Sequence, residues 1–134
     1  MVTIESDTSD IKANATFAFT YLSDLNNWKG LMPKEVTKLE SQNDSCSFVL
    51  GGMTSIGMRI KETQPNSKIV LKSEGKSPFP FDLEVCLTET GNDACTVKLT
   101  FNGDMNMMIR MMAEKPLTNF FNYLSHKMRG ITAG

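Results

Sequence analysis

The chain has 134 residues, of which 40% are hydrophobic and 22% are charged. This balance is typical of a soluble globular protein, and the length predicts a single domain, residues 1–134, whose core needs no metal or disulfide to be stable. The 14 basic and 15 acidic residues leave a net charge of −1, so the composition gives no indication of nucleic-acid binding.

The N-terminal segment and the cysteines indicate a cytoplasmic protein. The first residues lack the basic region and apolar run of a secretory signal, and no stretch approaches the ~18 apolar residues that span a membrane. Cys46, Cys86 and Cys95 form no CxxC pair, and each lies in a strand-like segment. A free cysteine in such a segment is most often a small buried apolar group, so we expect reduced thiols.

The N-terminal part of the chain predicts one strand followed by two short helices. Val2–Glu5 alternates apolar and polar residues, as a half-buried strand does. Asn14 is suited to cap a helix over Ala15–Leu22, and a second short helix runs from Leu25 to about Gly30. The second helix carries Trp28, the only tryptophan, which either lines the mouth of a pocket or caps the core. The sequence favours neither alternative.

From residue 34 onward the apolar period changes to two, which predicts strands. The turn signals between them, such as Gly51-Gly52, are short enough for hairpins, so the strands form an antiparallel meander with one face exposed to water. The predicted strands are Val36–Ser41, Ser45–Leu50, Ile56–Lys61, Lys68–Lys72, Phe81–Thr88 and Cys95–Phe101.

The last stretch, Met105–Met128, contains the only long helical pattern. Its apolar residues predict an amphipathic helix that lies against the sheet. Pro116 removes one backbone donor inside this helix, so we expect a kink there. The predicted inward stripe is Met105, Met108, Ile109, Met112, Leu117, Phe120, Phe121, Leu124 and Met128.

Met107 and Met111 fall outside that stripe. Three explanations stay open from the sequence: an exposed apolar patch, a mobile lid over a cavity, and a contact with a second copy of the chain.

These elements define an α+β architecture. About seven antiparallel strands share one apolar face, and a single long helix is available to cover it, so the sheet must curve around the helix. One helix cannot fill the whole concavity, which predicts a cavity between helix and sheet. Its expected lining is Trp28, Phe48, Met58, Ile60, Leu71, Phe81, Leu83, Val85, Leu99, Phe101, Met108 and Met112.

The order of elements resembles the helix-grip fold of the START-like (SRPBCC) superfamily. The segments that carry the resemblance are ANATFAFTYLSDLNNWKGLMPKEVTKLE near the start, GKSPFPFDLEVCLTE in a late strand, and KPLTNFFNYL in the last helix. The resemblance implies an apolar ligand under the helix, and in the enzymatic, polyketide cyclase-like relatives it implies acid or base residues inside the cavity. The glycine-rich loop of the plant members is reduced here to Gly51-Gly52 and Gly57.

The residues themselves indicate no catalytic site, metal site or cofactor. His126 is the only histidine and has no neighbouring carboxylate or cysteine cluster in sequence, so we interpret it as an exposed residue near the helix C-terminus. Asp82 and Glu84 resemble a carboxylate pair, but they alternate with apolar residues and are expected to face solvent. No zinc, nucleophile-elbow or phosphate-loop motif occurs.

The sequence therefore favours a protein that binds or carries a small hydrophobic or amphipathic molecule. Two alternatives remain. One is an enzyme of the polyketide cyclase or dehydrase type, which needs a buried ionisable group. The other is a protein-interaction module that uses the Met-rich helix, and a second copy of the chain is one partner it could take.

Overall fold

The computed structural model describes residues 1–52, 54–75 and 77–132. These residues form eight strands, two α-helices and one 3-10 helix. In chain order they are β1 (Val2–Glu5), β2 (Ser9–Ile11), α1 (Ala15–Leu22), the 3-10 helix (Leu25–Leu31), β3 (Val36–Ser41), β4 (Ser45–Leu50), β5 (Thr54–Gln64), β6 (Lys68–Ser73), β7 (Phe81–Gly91), β8 (Ala94–Gly103) and α2 (Met107–Met128).

The strands form one antiparallel sheet in the order β1-β8-β7-β6-β5-β4-β3. Strands that follow one another from β3 to β8 are neighbours in the sheet, which is the arrangement of an antiparallel meander. The turn between β4 and β5 places Gly51 and Gly52 at φ values of 64° and 72°, where residues with a side chain are strained. The predicted α+β helix-grip architecture is confirmed.

The eighth strand, β2, is absent from the sequence prediction. It pairs with the N-terminal half of β8, whereas β1 pairs with the C-terminal half, so the two short strands form one interrupted edge. Ser6 fills the interruption: its backbone N–H donates to the Leu99 carbonyl at 2.9 Å, and its hydroxyl accepts from the Leu99 N–H at 2.9 Å. A strand of three residues is too short for its periodicity to be recognised.

Asparagine side chains set the start of both α-helices. Asn14 accepts a hydrogen bond from the Phe17 N–H at 2.7 Å, as predicted. Asn106 does the same for the Ile109 N–H at 2.9 Å, which places the first residue of α2 at Met107. Each cap satisfies a backbone donor that has no partner within the helix.

The helix α2 covers the β1, β2 and β8 side of the sheet and also contacts the 3-10 helix. It is continuous across Pro116. A kink at this proline remains a prediction. The buried residues of α2 are Ala113, Leu117, Phe120, Phe121, Leu124, Ser125 and Met128.

Met108 and Met112, which the sequence places in the inward stripe, are instead 73% and 60% exposed. The reason is a break in the helical phase. Leu117, the next apolar residue of that stripe, follows Met112 by five positions. At about 100° per residue, these five positions turn the side-chain direction by one full turn and about 140° more. Met108 and Met112 therefore point away from the core that the later residues bury, whereas Met105 is buried and Ile109 packs partly buried against the core, as predicted.

Candidate functional site

The sheet residues that were predicted to face inward do lie in the core. Ile60 differs from the others because it is only partly buried, close to an irregularity in the pairing of β5 with β6. Whether any of these residues contacts a ligand stays a prediction. The buried set is Trp28, Phe48, Met58, Leu71, Phe81, Leu83, Val85, Leu99 and Phe101.

Trp28 is buried in the core, in agreement with the alternative that it caps the core. Its side chain is fully buried. The indole N–H donates to the backbone carbonyl of Leu22 at 3.1 Å, which satisfies its only polar group. This contact joins the 3-10 helix to the end of α1.

Aromatic rings fill the space between α2 and the sheet. The ring of Phe48 on β4 lies 5.4 Å from that of Phe120 on α2, and Phe120 lies 5.2 Å from Phe121. Phe121 continues the contact to Phe101 on β8 at 5.1 Å. Such separations are favourable for aromatic pairs. Six of the eight phenylalanines join this phenylalanine cluster: Phe48, Phe79, Phe81, Phe101, Phe120 and Phe121.

A cleft of about 430 Å³ opens beside this cluster, between α2 and the ends of β3 and β4. Ligand pockets in proteins commonly have a volume of roughly 300–1,000 Å³, so the cleft is large enough for a small molecule. Phe120 belongs both to the cleft wall and to the phenylalanine cluster. The α2 cleft is lined by Pro33, Glu35, Leu50, Gly51, Lys115, Pro116, Asn119, Phe120 and Tyr123.

The helical wall of the α2 cleft follows from regular spacing. Pro116, Asn119, Phe120 and Tyr123 are related by steps of three and four, so they share one face of the helix. Of these, Phe120 is 3% exposed and Tyr123 is 39% exposed, so the wall runs from the core outward to solvent.

The opposite wall comes from the β4–β5 turn. The Gly51 N–H donates to the Glu35 carbonyl at 3.0 Å, which holds the turn against the segment before β3. Leu50, buried at the end of β4, supplies an apolar surface next to it. Glu35 and Lys115 add one charge of each sign to the cleft lining.

Two other depressions have a more polar lining. One of about 530 Å³ runs along β3, β4 and β5, and polar residues such as Lys38, Glu40 and Ser47 predominate in it. Another of about 370 Å³ lies near the C-terminal end of α2, beside Tyr21 and His126. An apolar molecule would bury less of its surface against apolar groups in either of them than in the α2 cleft.

His126 takes part in a tether between α2 and the break in the edge strand. Its Nε2 lies 2.9 Å from the Asp7 carboxylate, and both side chains are partly exposed. The Ser125 hydroxyl donates to the Asp7 carbonyl at 2.7 Å and lies 2.8 Å from the hydroxyl of Ser9. The Ser125 hydroxyl is thus engaged with β2 and the preceding loop, so these residues hold the helix in place. The sequence prediction of an exposed histidine missed the Asp7 contact.

The polar groups of the core offer little acid or base chemistry. Within the described residues, the buried polar side chains are Ser6, Ser9, Ser45 and Ser125. Burial also raises the pKa of the Cys46 thiol to about 12, which keeps it protonated. Asp82 and Glu84 form outer-face ion pairs with Lys72 and Lys68, at 3.7 and 3.0 Å.

The described residues provide neither a metal cluster nor a membrane-spanning helix. Residues 1–52, 54–75 and 77–132 contain no group of three or more His, Cys, Asp or Glu side chains placed to hold a metal ion. Among the same residues, neither α-helix combines the length and apolar character that a bilayer crossing requires.

The fold is shared with solved structures of very low sequence identity. A START superfamily protein from Mycobacterium smegmatis superposes with a TM-score of 0.74 at 12% identity, covering 96% of this chain and 94% of that one. TTHA0849 from Thermus thermophilus gives 0.71 at 15% identity, with coverage of 96% and 94%. The Aha1 dimer structure from Colwellia psychrerythraea gives 0.56 at 15% identity, with coverage of 93% and 97%.

No protein-family model and no curated protein matches the chain. The structural matches show the fold alone: this chain has the START-like helix-grip fold that the sequence predicted.

Proposed function

We propose that the chain acts as a single ligand-binding domain, which takes up a small apolar or amphipathic molecule in the α2 cleft. The observation that carries the proposal is the position of Phe120, whose ring forms the floor of an accessible cleft and also belongs to the phenylalanine cluster. The START-like fold supports it, because the cleft lies between the long helix and the sheet.

Desolvation of apolar surface supplies the driving force. Leu50, Pro116 and Phe120 give the cleft an apolar lining, and each Å² of apolar surface removed from water contributes about 25 cal/mol. Lys115 and Glu35 hold a polar end of the ligand near solvent, where charged groups keep most of their hydration. Shape and apolar area thus select the ligand, and the two rim charges orient it.

Phe120 controls how deep a ligand enters. Its ring lines the α2 cleft and lies 5.4 Å from the ring of the predicted cavity residue Phe48. A rotation of the Phe120 side chain would let a longer molecule in the cleft reach Phe48 and the predicted cavity residues beyond it. The buried members of the predicted cavity lining would then form a deeper part of the same site.

The test fills the cleft without altering the core. Asn119 is exposed and lines the cleft, so Asn119→Trp places a large ring inside it. Thr63→Trp is the matched control, because Thr63 is an exposed polar residue at the far end of β5. The probe is N-phenyl-1-naphthylamine, a neutral aromatic molecule whose fluorescence rises in apolar surroundings.

We expect the native chain and Thr63→Trp to bind the probe with equal affinity, and Asn119→Trp to bind it at least about tenfold more weakly, equivalent to about 1.4 kcal/mol. Equal affinity of all three proteins for the probe would exclude the α2 cleft as the binding site. Thermal unfolding followed by circular dichroism verifies that both variants are folded.

The cytoplasmic location and the absence of a cofactor remain predictions from the sequence. The polyketide cyclase-like alternative also remains a prediction. Association with a second copy of the chain would use a surface other than the α2 cleft.

A further inference from the structure

The first two turns of α2 expose four methionines. Met107, Met108, Met111 and Met112 are 78%, 73%, 81% and 60% exposed. Met107 and Met108 lie about one turn before Met111 and Met112, so the four side chains form a continuous strip along the helix. We call these four residues the methionine strip.

The methionine strip lies almost opposite the face of α2 that packs on the sheet. At about 100° per residue, its mean direction differs by about 150° from that of the buried residues of the helix. No rotation of the helix could therefore bury both faces against the same sheet. The core already accounts for one face, so the strip needs another partner or stays in water.

Two charges mark the ends of the strip, and they have opposite signs. Asp104 precedes the first methionine and Lys115 follows the last, and both are exposed. Within the described part of the chain, neither side chain has an oppositely charged group within 4.0 Å. Asp104 and Lys115 are about 12 Å or more apart along the helix, because Met107 and Lys115 are eight positions apart and each position rises about 1.5 Å.

We propose that the methionine strip binds the same strip of a second copy of the chain, with the two helices antiparallel about a two-fold axis. In the register that sets Met107 opposite Met112 and Met108 opposite Met111, Asp104 of each copy lies beside Lys115 of the other. The surface is self-complementary in apolar area and in charge, which is the requirement for a two-fold interface.

A membrane surface fits the strip less well. Amphipathic helices that bind anionic lipids carry an excess of Lys and Arg around the apolar face. Here Asp104 balances Lys115, and Arg110 is paired with Glu114 of the same helix at 3.3 Å. The balance of charge gives no net attraction to an anionic surface but suits an antiparallel copy.

The proposed pairing uses a different surface from the α2 cleft, and the two surfaces share one residue, Lys115. That residue ends the methionine strip and also lines the α2 cleft. An antiparallel partner would place its Asp104 at the rim of the cleft. The two proposals are tested separately, because Asn119→Trp fills the cleft away from the strip.

Sedimentation equilibrium in lipid-free buffer measures the self-association. Met111→Glu places two carboxylates at the centre of the proposed interface, and Thr63→Glu adds the same charge on an exposed strand residue. We expect the native chain and Thr63→Glu to dimerise alike, and the dissociation constant of Met111→Glu to rise about 100-fold or more. A native chain that stays monomeric up to about 1 mM, or equal dimerisation of the two glutamate variants, overturns the proposal.

A charge exchange tests the register. In the proposed dimer, residue 104 of each copy lies beside residue 115 of the other. Asp104→Lys therefore creates two pairs of positive charges and Lys115→Asp two pairs of negative charges, and we expect either variant to raise the dissociation constant of the dimer about tenfold. The double variant restores the opposite pairing and recovers the native dissociation constant. Failure of the double variant to recover would overturn the antiparallel register, provided that circular dichroism shows the same thermal midpoint for the double variant as for the weaker single one.

Discussion

Phe120→Ala is the most informative substitution, because Phe120 belongs to the core and to the proposed ligand site. Its ring is 3% exposed and contacts Phe48 and Phe121 at 5.4 and 5.2 Å between centroids. Truncation of a buried phenylalanine costs about 3–5 kcal/mol, of which part comes from the empty cavity left behind. Here the space opens into the α2 cleft and fills with water, so we expect a cost near the lower end, about 3 kcal/mol.

Phe121→Ala provides the matched control. Phe121 is 4% exposed and contacts Phe101 and Phe120, but it does not line the α2 cleft. The same truncation at Phe121 leaves an enclosed cavity, so we expect the free energy of unfolding to fall by an amount near the upper end of the range, about 4–5 kcal/mol. The two variants differ in their relation to the cleft while the chemistry of the change is the same.

Urea unfolding followed by the fluorescence of buried Trp28 measures both losses. With a denaturant slope of about 1–3 kcal/mol/M, the midpoint falls by about 1 M or more in each variant. Binding of N-phenyl-1-naphthylamine is then expected to change in Phe120→Ala and to stay native in Phe121→Ala. Equal effects of the two substitutions on probe affinity would refute the role of Phe120 as the floor of the site.

Two further predictions concern how α2 and the long strands are held. Ser125→Ala removes the hydroxyl that meets Ser9 at 2.8 Å in the core, and urea unfolding is expected to show a loss of about 1–3 kcal/mol. Adding Ser9→Ala should cost less than the sum of the single changes, and strict additivity would contradict the pairing. Gly57→Ala would push its new methyl group into the Glu74 carbonyl, so we expect a loss of about 1–3 kcal/mol or more. Gly30→Ala, which meets nothing, is the control, and an equal loss there would exclude the steric cause.

The sequence predicted the sheet well where local patterns determine the structure. In β7 up to Leu87 and throughout β8, apolar and polar residues alternate without a break, and the inward residues Leu83, Val85 and Leu99 are fully buried. The outer residues Asp82 and Glu84 are half-buried in ion pairs, in agreement with the expected facing. Regular strands joined by short turns leave few alternative pairings.

The phase of α2 was harder to predict. Steps of three and four residues keep a stripe on one face only when they alternate without a break, and the five-residue step from Met112 to Leu117 lies between two apolar stretches. Met108 and Met112 were assigned to the core although they face solvent. Both faces are apolar, so their composition alone does not distinguish them. The angular position of each residue around the helix axis, at about 100° per residue, would have separated them.

The α2 cleft depends on contacts between distant parts of the chain. Leu50 and Phe120 lie far apart in sequence, and each has the local pattern of an ordinary core residue. The steps of three and four from Pro116 to Tyr123 were visible, but nothing in the sequence shows that the β4–β5 turn approaches this face. The predicted cavity residues are buried as expected in the sheet, whereas the phenylalanine cluster that closes the space among them arises only from tertiary packing.

The most direct test of ligand binding maps the site on the native chain. Backbone amide chemical shifts are recorded by NMR while N-phenyl-1-naphthylamine is added. The cleft proposal predicts that the largest shifts occur at Leu50, Gly51, Asn119 and Tyr123, on both walls of the α2 cleft. Shifts concentrated instead along Lys38–Ser47, in the polar depression of β3 and β4, or no specific shifts at all, would contradict it.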